Sequence, residues 1–105
     1  MTEVHHGSGN VFEDLGLPDA QELQAKSIVS IYIERIIDAN RWTQTEAAKR
    51  MGLAQPDVSN ILRGKLTGFT LDRLFACLNA LDQDVEIRIQ PSQGGAGRVL
   101  VTAGE

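Results

Sequence analysis

Gln55, Ser59 and Asn60 fall within one short segment, with Arg63 and Lys65 just beyond it and Gln44 a little before it. A carboxamide donates and accepts at once, so glutamine or asparagine can engage N6 and N7 of adenine together. A hydroxyl such as that of Ser59 serves either role, whereas Arg63 and Lys65 suit phosphates better than bases. Such a set reads a nucleic-acid surface only if a rigid rod holds Gln55, Ser59 and Asn60 outward.

The neighbouring residues supply that rod. Thr43 followed by Glu46 is a capping box, in which the threonine oxygen accepts a free helix N–H and the glutamate reaches back. The helix it starts turns Ala47, Ala48 and Met51 inward and Lys49 and Arg50 outward, and the small Ala48 lets a second helix cross closely. Gly52 provides the left-handed C-cap that costs a β-carbon residue more, and Leu53 points from the turn into the core. A second helix begins at Gln55. Pro56 is tolerated there because first-turn N–H groups have no intrahelical partner. Val58, Ile61 and Leu62 form its inward face at i, i+3 and i+4, and Gly64 stops it. Each feature alone occurs in many helical hairpins. Together they describe a helix-turn-helix, with Gln55, Ser59 and Asn60 toward base edges and Arg63 and Lys65 toward the backbone.

At these residues the chain resembles the Xre family of lambda-repressor-like regulators, from about Ser27 to Leu81, through Gln44, Ala48, Gly52, Gln55, Val58 and Gly64. The resemblance implies a phosphate contact from Gln44, a base contact from Gln55, and further base or backbone contacts from the positions of Pro56, Ser59 and Asn60. Two positions depart from the family pattern. Ala54 replaces a usual Ser or Thr cap, and Pro56 replaces a common polar base-reader. The flanks Asn10–Ala20 and Leu81–Ile89 look like the HigA-type antitoxin branch, whose members commonly bind a ribosome-dependent RNase toxin and repress their own operon.

Composition agrees once charge is divided along the chain. The net charge of −4 splits into −5 for residues 1–40, +3 for residues 41–73 and −2 for residues 74–105. Positive charge therefore sits on the helix-turn-helix, where phosphates would lie. So small an excess favours two copies acting together, which predicts a homodimer on an inverted-repeat DNA operator, recognition helices roughly 34 Å apart. The acidic first third is a solvated surface or a dock for a small basic RNase toxin.

The 105 residues suit one domain with a modest core. The expected fold is mostly α, a lambda-repressor-like helical bundle with a short C-terminal β-strand or hairpin. Residues 1–9 read as a disordered tail, 10–82 as the helix-turn-helix domain, and 83–105 as a β extension able to dimerise. Val11–Leu17 can cover one end of the core. Asp19 can cap a long helix from about Ala20 to Asn40, with Ala25, Val29, Ile33, Ile36 and Ile37 at helical period. Trp42 reads as packing between helices. Thr70 can cap a fourth helix bearing Leu71, Leu74, Phe75, Leu78 and Leu81. Beyond it Val85, Ile87 and Ile89 alternate with charged residues as a half-buried strand, and Arg98–Thr102 can return as its hairpin partner.

Little points to catalysis. His5 and His6 are an adjacent pair without metal-ligand spacing, and Gly94-Gly95-Ala96-Gly97 lacks the strand and helix of a dinucleotide site. No nucleophile–base set is visible, so neither enzyme nor cofactor is expected. A single cysteine, Cys77, within an apolar helix fits a reducing cytoplasm, and no apolar run reaches membrane-spanning length. The residues thus predict a sequence-specific transcriptional repressor, an autoregulating antitoxin of a toxin–antitoxin operon on the HigA resemblance. A stand-alone Xre-type regulator and a protein-interaction module with weak DNA affinity are the alternatives.

Overall fold

The computed structural model describes residues 3–6 and 18–102. Among the described residues, four helices, α1 (Asp19–Asn40), α2 (Gln44–Met51), α3 (Gln55–Leu62) and α4 (Leu71–Ala80), enclose one core. Two short strands described, β1 (Glu3–His6) and β2 (Glu86–Ile89), precede and follow these helices. The expected segment Val11–Leu17 lies outside the described residues.

The long helix α1 buries Ala25, Val29, Ile33 and Ile37, a row at i, i+4 that forms one continuous stripe. It packs against α4 and α3, while α2 packs against α3 and α4. The core is completed by Val58, Ile61, Leu71, Leu74 and Phe75. Cys77 lies within it, and burial pushes its thiol pKa up, since a thiolate would lose its hydration there.

The four described helices end alike. The backbone turns left-handed at Arg41, Gly52, Gly64 and Asp82, with φ between 57° and 73°. In each case the following residue donates its N–H five positions back: Trp42 to Ile37, Leu53 to Ala48, Lys65 to Asn60 and Gln83 to Leu78. This is the Schellman arrangement, which satisfies carbonyls that the helix leaves free. Glycine marks two of these ends in the sequence. Arg41 and Asp82 adopt the same conformation without that signal.

Three expectations need correction. Asp19 does not cap α1: the cap position is Pro18, in extended backbone (φ −56°, ψ 140°) and without a side-chain bond. Asp19 and Glu22 instead occupy the first turn, where carboxylates favour the positive helix end. The tail expected over residues 1–9 contains a strand, because β1 pairs antiparallel with β2, Glu3 opposite Ile89 and His6 opposite Glu86. Arg98–Thr102 therefore forms no hairpin. The Val99 N–H donates to Gln21 Oε1 at 2.8 Å, and Val101 packs on the core, so this segment lies along α1 instead.

Candidate nucleic-acid interface

The turn between α2 and α3 is built as its residues dictate. Thr43 Oγ1 accepts from the Glu46 N–H at 3.1 Å. Only this half of the expected box forms, because the Glu46 carboxylate goes to Arg50 at 3.3 Å. Ala47 is fully buried and Ala48 and Met51 nearly so, as are Val58 and Ile61 on the facing side of α3. Small residues on α2 thus let the two helices meet, and the opposite side of α3 stays outward.

At the start of α3, Ala54 offers no side-chain acceptor. The Asp57 and Val58 N–H groups both turn to the Ala54 carbonyl, at 3.0 and 3.3 Å. Pro56 has no N–H to satisfy. An Ala54→Ser replacement supplies the missing acceptor to the Asp57 N–H and is expected to stabilise the fold by about 1 kcal/mol, read as a raised midpoint in urea unfolding.

Gln44 is the first residue of α2 and Gln55 the first of α3, and both are exposed, as is Pro56. Ser59 and Asn60 are half-buried along α3. Arg63 and Lys65 are exposed around the left-handed Gly64 that ends the helix. Thr45, the neighbour of Gln44, donates its Oγ1 to Gln55 Oε1 at 3.4 Å, which ties the first turn of α2 to the first residue of α3. Two helix N-termini side by side present unpaired N–H groups and the positive ends of two dipoles, which suit phosphate oxygens.

The cations divide into two sets. Arg50 is held by Glu46 and stacks on Trp42, 4.3 Å from the ring centroid. Arg73 reaches Asp57 at 3.2 Å and stacks on Phe69 at 4.7 Å. Arg41, Lys49, Arg63 and Lys65 have no ion pair among the described residues. The Asp57–Arg73 pair matters because Asp57 lies in the first turn of α3, where an unscreened carboxylate would repel phosphates. Arg73 and Thr45 were not among the residues singled out from sequence. Their partners lie 16 and 10 positions away, beyond any helical period, so only the folded arrangement reveals them.

The Helix-turn-helix domain family model matches residues 11–90. A solved structure assigned to the XRE family of transcriptional regulators superposes with a TM-score of 0.75 and 45% identity, covering 83% of this chain and 100% of that one. The chain is an Xre-type helix-turn-helix protein. No curated protein matches it. In this Xre-type protein α3 occupies the place of the recognition helix, and α2 buttresses it through Ala47 and Ala48. Among the described residues no cluster of His, Cys, Asp and Glu could hold a metal ion, and no helix is long and apolar enough to cross a membrane.

Proposed function

We propose that this Xre-type protein is a cytoplasmic repressor that binds an inverted-repeat operator as a homodimer and serves as the antitoxin of a toxin–antitoxin operon. It is a DNA-binding transcription regulator and not an enzyme. The observation that carries the DNA reading is the outward side of α3, where Gln55, Ser59 and Asn60 remain accessible beside the N-terminus of α2. Gln55, Ser59 and Asn60 meet base edges, with Pro56 packed close to them. Gln44, Arg63 and Lys65 hold the sugar–phosphate backbone.

The antitoxin role is supported by the charge of −5 over residues 1–40, which complements a small basic RNase, and by the likeness of the flanks to the HigA-type branch. Two experiments separate the readings. The protein should retard duplexes carrying its own gene's upstream DNA, and should co-purify with a small basic protein encoded in the adjacent frame. Retardation without a partner leaves a stand-alone regulator. Failure of both leaves a protein-interaction module.

Dimerisation through β2 follows from its composition. A second copy pairing antiparallel about Ile87 sets Glu86 against Arg88 of the partner subunit and Val85 against Ile89 of the partner subunit. Both charge pairs are then complementary, and Ile89, 53% exposed in the single chain, gains cover. Arg88→Glu opposes two pairs of like charges and is expected to weaken the dimer by roughly 1–2 kcal/mol. Adding Glu86→Arg should restore it. Sedimentation equilibrium reads both, and a dimer indifferent to Arg88→Glu places the seam elsewhere.

A further inference from the structure

Thr45 is the second residue of α2, and its hydroxyl bridges the turn to the carboxamide of Gln55 at 3.4 Å. A hydroxyl can serve either end of an amide. Its place in the first turn of α2 decides between them, because the positive helix end favours the amide oxygen over the amide nitrogen. The Gln55 side chain is otherwise exposed. Thr45 thus holds its oxygen against α2 and leaves the nitrogen turned away.

That orientation has a consequence for base choice. A free glutamine has two ways to use the major groove. It can accept from N6 and donate to N7 of adenine, or it can offer both hydrogens of its nitrogen to N7 and O6 of guanine. With the oxygen fixed in place, the first arrangement remains open through the second acceptor position of that oxygen. The second requires rotating the amide and breaking the bond to Thr45. Without rotation, the amide oxygen would face guanine O6, acceptor against acceptor. We propose that Thr45 is a positioning residue that makes Gln55 select adenine over guanine. This rests on the reading of α3 as the DNA-reading helix.

The test is selection of bound duplexes from a randomised DNA pool by the full-length wild type, Thr45→Val, Thr45→Ser and Gln55→Ala. Gln55→Ala identifies the base position concerned, as the one whose preference it abolishes. Wild type and Thr45→Ser should select adenine there. Thr45→Val, of equal shape but without the hydroxyl, should admit guanine, the adenine-to-guanine ratio falling roughly fivefold to tenfold for one lost hydrogen bond. Positions outside the reach of Gln55 should keep their preferences. A consensus in which Thr45→Val retains the full adenine preference, or in which the wild type does not prefer adenine, overturns the role of Thr45 alone. A wild-type pool without any consensus overturns the DNA reading, and this inference with it.

Discussion

Replacing Gln55 by alanine is expected to cost about 1–3 kcal/mol on the selected operator, roughly a fivefold to 150-fold loss of affinity, and little on random DNA. The reason is the division of labour across the surface. Gln55 is an uncharged residue at the N-terminus of α3, so its removal leaves the electrostatic attraction of Arg63, Lys65 and the helix N-termini intact. Only the discrimination between bases is lost. Arg63 marks the contrast, since its loss should weaken all sequences alike and reduce the salt slope by about 0.9 per phosphate contact. Titrations on specific and scrambled duplexes at two salt concentrations separate the two effects. Equal losses on both duplexes for Gln55→Ala would remove it from the bases.

The second large effect is on stability. Ile33 is fully buried at the middle of α1, the helix that packs against both α3 and α4. Ile33→Ala removes three carbons from that junction and leaves a cavity, for an expected loss of about 2–5 kcal/mol. Total stability for a domain of this size is on the order of 5–15 kcal/mol, so the melting midpoint should fall by at least about 8 °C. Leu23, on the same helix but 55% exposed, is the control, and its replacement by alanine should change stability by under about 0.5 kcal/mol. Thermal unfolding by circular dichroism measures both. A fall at Leu23 matching that at Ile33 would mean that the outer side of α1 is also packed, for instance against a second copy.

The parts of the fold that were legible in sequence are those set by neighbours in the chain. Thr43 and Thr70 each announce a cap three residues before the N–H they accept from, and both bonds form at 3.1 Å. Gly52 and Gly64 announce helix ends because only glycine takes positive φ freely. Arg41 and Asp82 carry no such mark, and their left-handed turns appear only in the structure. Strand β2 was legible from its alternation, but its partner was not. Glu3–His6 is too short and too polar to show a period, and pairing at a separation of 80 residues or more is set by the folded body. Arg98–Thr102 reads as a strand in sequence, yet the Gln21 side chain takes the Val99 N–H.

The same distinction holds for the surface of α3. The types and outward placement of Gln55, Ser59 and Asn60 follow from helical spacing, since Val58 and Ile61 must face the core. What holds and screens that surface crosses between elements. Thr45 on Gln55 and Arg73 on Asp57 are such contacts, and no local pattern encodes them.

On the proposed function, the outward side of α3 enters the major groove. Amide-resonance mapping of the labelled protein, titrated with a duplex recovered by selection, tests it most directly. Shifts should concentrate at Gln44, Gln55, Ser59, Asn60, Arg63 and Lys65, with the middle of α1 and of α4 silent. Shifts confined to α1, α4 or the strands, with α3 undisturbed, would contradict it.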